Sequence, residues 1–448
     1  AGADAVVTLA AEVGPAERYR RWLAVRRGAV RIVVGTRAAA FAPVADLALV
    51  ALWDDGDDLH AEPRAPYPHT RLVLGQRALI ERVALLVAGF TRTAETQLSV
   101  ETCWAHEITA GRSAVRAASP RVTAIGEDGT QLARDPTARA ARLPGVAFEA
   151  ARVALGRDEP VLVQVPRRGY VPALACGQCR APARCRRCAG PLALPAHGGE
   201  AVSPACRWCG ATEGGYRCPV CGSQRLRAVV IGAHRTAEEL GRAFPGTPVH
   251  TSGDGKVLDG APSAAALVIS TPGAEPAGRY GAALLLDAWA LLARPDLRAG
   301  EEALRRWMVA AAMVRPASDG GRVVVVADAA LRPVQALVRW DPAGHAAAEL
   351  ADRRELSFPP VVRMAAVDGP PATLAGFADS LELPADAELL GPVPLPGRQD
   401  GERERLLVRV PRQDGAALAT ALSAAQAVRT ARKEPDALRV QLDPTEVI

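Results

Sequence analysis

Two kinds of residue are scarce in this chain of 448 residues. Aromatic residues make up 4% of it, and lysine occurs only at Lys256 and Lys433, so nearly all the positive charge is arginine. No apolar stretch reaches the roughly 18 residues that a membrane-spanning helix needs. The first residues also lack the basic start of a signal peptide. These absences predict a cytoplasmic protein whose cores consist of alanine, valine and leucine.

The remaining composition is that of a globular protein. Hydrophobic residues make up 49% and charged residues 23%. The length exceeds what one hydrophobic core usually serves, so two to four domains are expected. The net charge of +5 is small for this size, so the distribution of charge is more informative than its total. The chain starts without methionine, in a strand-like segment, which predicts a further N-terminal part.

Hydrophobic patterning divides the chain into three parts and one insertion. Residues 1–150 alternate short apolar strands with helices, as do residues 151–345, which predicts parallel sheets with helical crossovers. Residues 174–226 interrupt the second part with Gly, Pro, Arg and Cys and almost no aliphatic run. Residues 350–448 have the pattern of a small α+β domain. The predicted class is therefore α/β, with an insertion and a terminal α+β domain.

The cysteines give the most specific signal. Eight of the nine form four CxxC pairs, whereas Cys103 stands alone and is expected in a core. Two thiolates separated by two residues fit neighbouring vertices of a tetrahedral zinc ion, so eight thiolates predict two closed structural zinc sites. Disulfides fit a cytoplasmic protein poorly, and four tandem copies argue against a redox motif. Spacing alone leaves the assignment of pairs to sites open.

Positive charge is concentrated around these cysteines. Residues 166–230 contain ten arginines but only two acids, Glu200 and Glu213, which gives a local charge of +8. Arginines on a metal-braced scaffold suit contacts with nucleic-acid phosphates. The alternative interpretation is a solvated surface in an arginine-rich protein.

Several segments resemble one known family. VQVPRRGYVPALACGQCRAPARCRRC, IVVGTRAAAFAP (32–43), PYPHTR (66–71) and LLGPVPLPG (389–397) resemble segments of the bacterial replication-restart PriA family of superfamily 2 helicases. The resemblance implies two RecA-like helicase lobes, the first incomplete, with a zinc-binding insertion in the second and a small α+β C-terminal domain. The family's N-terminal DNA-binding region and Walker A loop would precede residue 1, and these 448 residues contain no GxxxxGK[ST].

The resemblance also implies ligands and contacts. The family's nested pairing assigns one zinc ion to Cys176, Cys179, Cys218 and Cys221, and the other to Cys185, Cys188, Cys206 and Cys209. The resemblance and the local charge together predict DNA contacts through Thr36, Arg37, Arg167, Arg168, Arg184, Arg186 and Arg187. The expected partners are forked DNA, single-stranded-DNA-binding protein and components that load the replicative helicase. The protein is expected to be a monomer associated with the nucleoid.

The catalytic motifs of the family are altered in this sequence. The acidic box DEEH or DEAH corresponds to Trp53, Asp54, Asp55 and Gly56, and tryptophan cannot bind magnesium. The QxxGRxGR motif corresponds to residues 308–315, with Met308 in place of Gln, Ala312 in place of the first Arg, and Arg315 retained. Asp287 ends a strand of the second lobe and is interpreted as structural.

Three hypotheses about function follow. The first is a fork-binding member of the restart family without helicase activity. The second is an active ATP-dependent 3′–5′ DNA helicase that works through altered motifs. The third is a zinc-ribbon protein that binds nucleic acid away from forks. The altered motifs favour the first, and they leave open whether ATP binds without being hydrolysed.

Overall fold

The structure is a computed structural model, and the chain divides into two compact units. One unit consists of residues 1–106 and 346–447, and the other of residues 107–345. The described residues are 6–126, 141–166, 173–179, 181–194, 203–206, 209–229, 232–253, 255–292, 294, 296–395, 403–444 and 446. No helix among them combines the length and the apolar character needed to cross a bilayer.

The first lobe contains two separate pairs of parallel strands. Its elements are β1 (Val6–Leu9), α1 (Pro15–Arg26), β2 (Ile32–Gly35), β3 (Leu49–Trp53), α2 (Thr70–Glu81), β4 (Ala84–Ala88) and α3 (Ala94–Glu101), with short 3₁₀ turns at Arg37–Phe41 and Asp58–His60. β1 pairs with β2, and β3 pairs with β4. Parallel strands are normally covered on both faces, yet Val34 and Leu49 are more than half exposed.

The second lobe is built on a six-stranded parallel sheet. Its strands are β5 (Arg121–Ile125), β6 (Val161–Gln164), β11 (Val249–Ser252), β12 (Leu267–Ser270), β13 (Ala282–Leu285) and β14 (Arg322–Asp328), in the order β11-β12-β6-β13-β14-β5. Its helices are α4 (Arg112–Ala118), α5 (Gly145–Leu155), α6 (Ala233–Ala243), α7 (Trp289–Leu292), α8 (Ala299–Ala312) and α9 (Arg332–Arg339).

The central strands of this sheet are apolar because helices cover both faces. All four residues of β6 are buried; Leu162 belongs to one core cluster, and Val161 and Val163 belong to the cluster on the other face. α8 covers the first face and α5 the second. The predicted α/β class is confirmed for this lobe.

The sheet also includes residues that the sequence pattern assigned to the first lobe. β5 pairs with β14 at the sheet edge, where Val122 lies beside Val323, and α5 contributes four buried alanines to the core. The sheet therefore begins before residue 151. The partner of β5 lies about 200 positions later in the chain, so no local pattern indicates this pairing.

The cysteine-rich insertion forms its own four-stranded antiparallel sheet, in the order β10-β7-β8-β9. The strands are β7 (Ala173–Cys176), β8 (Leu192–Ala193), β9 (Ala205–Cys206) and β10 (Leu226–Val229). Four cysteines contribute to its small buried cluster, beside Leu174, Leu192 and Tyr216. Cys103, by contrast, is exposed, so the expected core position was wrong.

The C-terminal domain has the predicted α+β fold. α10 (Pro342–Glu355) leads into β15 (Val362–Gly369), α11 (Pro371–Asp379), β16 (Glu388–Pro394), β17 (Glu404–Pro411), α12 (Gly415–Ala431) and β18 (Arg439–Leu442). The strands form an antiparallel sheet in the order β16-β17-β15-β18. Phe377 and Leu418 pack from α11 and α12 onto one face of the sheet. A buried, bidentate pair between Arg405 and Asp368 joins β17 to β15, with distances of 2.8 and 3.0 Å.

Candidate metal centres and the acidic-box network

The insertion holds its cysteines in tight turns that the local sequence favours. Gly210 and Gly222 follow the second cysteine of their pairs and have φ values of +70° and +73°, a region that glycine adopts without steric cost. The amide of Gly222 donates to the carbonyl of Cys218 at 2.9 Å, and Gly210 donates to Cys206 at 3.0 Å. Each turn therefore directs both thiols of its pair to the same side.

These turns bring the eight cysteines into two sets of four. The outer tetrad consists of Cys176, Cys179, Cys218 and Cys221, and the inner tetrad of Cys185, Cys188, Cys206 and Cys209. Facing sulfur atoms from different pairs lie 3.5 and 3.5 Å apart in the outer tetrad and 3.7 and 3.4 Å apart in the inner one. Tetrahedral zinc with Zn–S bonds of about 2.3 Å places its sulfurs roughly 3.8 Å apart. Each set could therefore hold one metal ion, and the sets are those that the family resemblance implies.

Backbone amides prepare one thiol in each tetrad for a cation. Burial raises the pKa of Cys176, but hydrogen bonds, led by the amides of Cys179 and Gln178, outweigh it and bring the pKa to about 6. The amides of Arg187 and Cys188 likewise bring the pKa of Cys185 to about 7. Each tetrad thus contains a thiol that is readily ionised near neutral pH, as metal ligation requires.

The predicted DNA-contacting residues have different surroundings. Thr36 is exposed, whereas the guanidinium of Arg37 lies 3.4 Å from Glu62 and donates to the carbonyl of Leu59. Three exposed arginines accompany the first cysteine pair of the inner tetrad: Arg184 precedes the pair, and Arg186 and Arg187 lie between its two cysteines. Arg186 lies 3.7 Å from Glu213. Arg167 and Arg168 lie outside the described residues.

The acidic box contains a buried carboxylate that belongs to a hydrogen-bond network. The β3–β4 ladder continues through a bond from the amide of Asp54 to Ala88, and Asp55 then turns inward with its side chain 5% exposed. Its Oδ2 accepts hydrogen bonds from the hydroxyls of Thr96 and Thr93 at 2.6 and 2.7 Å, and from Arg71 at 3.1 Å. Asp55 therefore ties the end of β3 to α2 and to the start of α3.

The neighbouring positions of the acidic box differ from Asp55 in their surroundings. Trp53 is 60% exposed and meets the edge of Phe90, with ring centroids 5.6 Å apart. Asp54 has a φ of +58° and is partly buried. Gly56 follows in the turn that leaves the strand. At the position that the family resemblance aligns with the first acid of the box, the side chain is thus an exposed indole.

In the second lobe, residues 308–315, which the family resemblance aligns with the QxxGRxGR motif, cover the end of the core helix α8 and the residues directly after it. Met308 is 2% exposed and packs in the hydrophobic core with its neighbour Trp307, and Ala312 is the last residue of α8. Arg315 lies 3.0 Å from Glu159. Asp287 forms a mostly buried pair with Arg142 at 2.8 Å, which gives it structural contacts.

Comparison with known proteins identifies the family. A family model described as primosomal protein N C-terminal domain matches residues 354–445. Two relatives carry the name probable replication restart protein PriA, one from Mycobacterium tuberculosis and one from Mycobacterium leprae. Each is 53% identical to this chain in an alignment that includes 99% of the chain. The alignments cover 70% and 69% of the lengths of the two relatives. The chain belongs to the PriA family. The Bacillus subtilis PriA protein is 23% identical over 52% of the chain and 28% of its own length.

One solved structure also resembles the chain weakly. It is described as RecG bound to a three-way DNA junction, and it matches 78% of this chain and 39% of its own at 12% identity. Its TM-score of 0.34 is too low for a comparison of folds.

The sequence pattern did not predict that three residues from other segments contact the acidic box of this PriA chain. Arg71, Thr93 and Thr96 lie 16, 38 and 41 positions from Asp55. One local signal was available, because Thr93 caps α3 by accepting from the amide of Thr96, a pattern typical of helix starts. Nothing local connects that cap to the acidic box.

The network predicts a structural role that can be measured. We expect Asp55→Ala to destabilise the first lobe by about 3 kcal/mol, because it leaves Arg71 and two hydroxyls without their shared acceptor. Hydrogen exchange of the amides in β3 and α3 should accelerate accordingly. Arg64→Ala, an exposed change in the loop that follows, should alter stability by less than about 0.5 kcal/mol. Equal exchange rates in the two variants would contradict the structural role.

Proposed function

We propose that this chain acts in replication restart by binding DNA at stalled or abandoned forks and helping to reload the replication machinery, without hydrolysing ATP itself. Membership of the PriA family supports the restart role. The observation that carries the non-catalytic part is the enclosure of Asp55, whose Oδ2 accepts three hydrogen bonds, next to an exposed tryptophan.

The chemistry of phosphoryl transfer explains why these positions matter. Such enzymes need a carboxylate on the magnesium ion, a group that orients the attacking nucleophile, and cations on the transferring phosphate. Trp53 offers no magnesium ligand, and Asp55 is committed to Arg71 and the two threonines. On the second lobe, Met308 is a core side chain and Ala312 carries no charge. Trp53 and Ala312 therefore do not supply the magnesium ligand and the cation that the family resemblance implies at these two positions.

The two tetrads are proposed to hold structural Zn²⁺. Four thiolates saturate a tetrahedral ion and leave no open position for substrate. The metal would supply cross-links to a segment that has few aliphatic side chains. The cross-linked backbone of the insertion would then hold the exposed arginines in fixed positions beside the inner tetrad.

Arginines of the insertion, with Thr36 on the first lobe, are proposed to contact DNA phosphates. Arg184, Arg186 and Arg187 are exposed. Before they can bind a phosphate, Arg186 must exchange its contact with Glu213, and Arg37 must exchange its contacts with Glu62 and Leu59. Single-stranded-DNA-binding protein and loading components of the replicative helicase are the proposed protein partners, with the chain acting as a monomer on nucleoid DNA in the cytoplasm. The resemblance extends far beyond the cysteines, which disfavours an isolated zinc-ribbon protein.

Binding to forked DNA tests this proposal. We expect charge reversal of Arg184, Arg186 and Arg187 to Glu to weaken binding by more than tenfold at about 0.1 M salt. We expect it to reduce the slope of log affinity against log salt by about 0.9 for each duplex phosphate that the variant no longer binds. Fluorescence anisotropy over a salt series measures both quantities, and unmodified protein should prefer a fork to plain duplex.

The matched control reverses three exposed arginines of the second lobe, Arg116, Arg242 and Arg279. It changes the net charge equally and should leave most of the affinity and slope intact. Equal loss of affinity in both variants would indicate a response to total charge rather than to the insertion. Equal affinity of the unmodified protein for fork and duplex would remove the fork-specific part.

A further inference from the structure

A second basic surface lies on the first lobe, far along the chain from the cysteines. Residues 15–37 contain seven arginines and one acid, which gives this short stretch a local charge of +6, compared with +5 for the whole chain. Most of these residues lie on α1 or directly after it. The arginines are Arg18, Arg20, Arg21, Arg26, Arg27, Arg31 and Arg37.

The one acid neutralises only part of this charge. Glu17 pairs with Arg20 at 2.7 Å and with Arg21 at 2.9 Å. The hydrogen bond from Arg21, together with the nearby positive charge, lowers the pKa of Glu17. Arg21 also donates to the carbonyl of Thr8 on β1 at 2.8 Å, so it helps to hold the helix on its strand pair. Arg20 and Arg21 therefore have structural partners.

Four other arginines lack such a partner among the described residues. Within the part of the chain that the structure describes, none of them forms an ion pair or a side-chain hydrogen bond, and all are exposed. They are Arg18, Arg26, Arg27 and Arg31. Four guanidinium groups so close in sequence repel one another unless anions lie between them.

Helix stability accounts for only some of these charges. Cations at the C-terminal end of a helix interact favourably with its dipole, which suits Arg26 in the last turn and Arg27 at the cap. The same dipole opposes a cation near the N-terminal end, where Arg18 lies. Arg31 lies beyond the helix, just before β2. Intramolecular contacts therefore explain only part of the pattern.

An aromatic side chain lies among the arginines. Tyr19 is 65% exposed, and Arg26 follows it by seven residues, which places both on the same side of the helix two turns apart. The helix of 12 residues is roughly 18 Å long. That length spans several nucleotides of an extended strand. Cations that follow a backbone, combined with an aromatic platform, characterise proteins that bind single-stranded nucleic acid.

We propose that Arg18, Tyr19, Arg26, Arg27 and Arg31, here called the α1 surface, bind single-stranded DNA next to the fork junction. The arginines contact phosphates, and Tyr19 stacks on an unpaired base. This inference rests on the proposed function, and it adds a second contact surface and the kind of DNA that occupies it.

The charge contribution is tested with a variant in which the four unpaired arginines become Gln, a residue that also favours helix. We expect affinity for a single-stranded oligonucleotide to fall at least tenfold at about 0.1 M salt. The salt slope should fall by roughly 3, since each contact to a single strand contributes about 0.7. The control, Arg116, Arg235, Arg242 and Arg279 to Gln, removes the same charge from exposed positions of the second lobe and should change affinity by less than threefold.

The stacking contribution is tested at Tyr19. Tyr19→Ala should weaken oligonucleotide binding at least fivefold, whereas Tyr19→Phe retains the ring and should bind normally. Circular dichroism of each variant checks that α1 remains folded. Affinity unchanged in both the four-arginine and Tyr19→Ala variants would overturn the inference.

Three further outcomes separate this inference from its alternatives. If the insertion variant loses fork binding while the α1 variants keep single-strand binding, the α1 inference fails and the proposed function stands; if neither set affects binding, both fail. Binding of a polyglutamate peptide that is abolished in the α1 variants, with oligonucleotide affinity unchanged, would assign the surface to an acidic protein partner and overturn the inference.

Discussion

The protein is not expected to release phosphate from ATP at an enzymatic rate, with or without DNA. Turnover by typical enzymes is about 1–10³ per second. The loss of a transition-state arginine alone can cost roughly 10³–10⁵ in rate. In this chain, the family resemblance places Trp53 at the position of the magnesium carboxylate and Ala312 at the position of an arginine.

Repairing one position should not restore activity. Trp53→Asp alone and Ala312→Arg alone are expected to remain inactive. Both new side chains would act on the same phosphoryl group, and either one without the other leaves its charge poorly stabilised. Restoring the family's glutamine at Met308 would bury an amide in an apolar core, where an unpaired polar group costs stability. The double repair is therefore expected to remain far below enzymatic rates.

The control for contaminating ATPase must leave the lobe folded. Asp54→Asn is the suitable variant, because residue 54 has a φ of +58° and asparagine tolerates that region. Asp55→Ala is unsuitable, because it removes the acceptor of a buried network. DNA-stimulated phosphate release near 1 per second by the unmodified protein, abolished by Asp54→Asn, would restore the active-helicase hypothesis.

Loss of a single tetrad cysteine is expected to unfold the insertion while the six-stranded sheet of the second lobe stays folded. Zinc binding contributes about 10–16 kcal/mol in small zinc-finger peptides. The buried cluster of the insertion consists largely of the cysteines themselves, so it offers little apolar area as a substitute. The sheet keeps its own cores on both faces.

Metal analysis combined with limited proteolysis measures this effect. The unmodified protein, purified without chelator, should contain two zinc ions per chain. Cys185→Ser should lose the inner ion and become sensitive to cleavage in the insertion. Cys103→Ser removes an exposed thiol outside both tetrads and should keep both ions. One zinc ion or none in the unmodified protein would contradict the assignment.

Local signals in the sequence predicted much of the fold. The apolar runs of β6, β12, β13 and β14 predicted buried parallel strands, and the CxxC spacing predicted the two sites. The family resemblance, rather than the spacing, supplied the partition into outer and inner tetrads.

Long-range contacts were beyond local patterns. The pairing of β5 with β14 and the bonds from Thr93 and Thr96 to Asp55 join residues that are far apart in sequence. The ion pair of Arg37 with Glu62 depends on the fold of the loop between them. The exposure of Cys103 likewise depends on where the end of α3 lies in the fold. The general tendency of free cysteine to be buried predicted the opposite.

The nested order of the two tetrads has a consequence for how the insertion assembles during synthesis. Closing the inner tetrad joins Cys188 to Cys206 over 18 positions, whereas the outer tetrad joins Cys179 to Cys218 over 39. Loop-closure entropy favours the shorter loop by about 0.7 kcal/mol. All the inner ligands also leave the ribosome before the last outer ones.

Once the inner loop is closed, roughly half of the outer loop is already contracted, which lowers the entropy cost of the second closure. Assembly is therefore expected to proceed from the inner tetrad to the outer one. The last step brings together the two ends of the insertion, where the chain leaves and rejoins the second lobe. The segment between these ends is already compact when the second lobe folds around it.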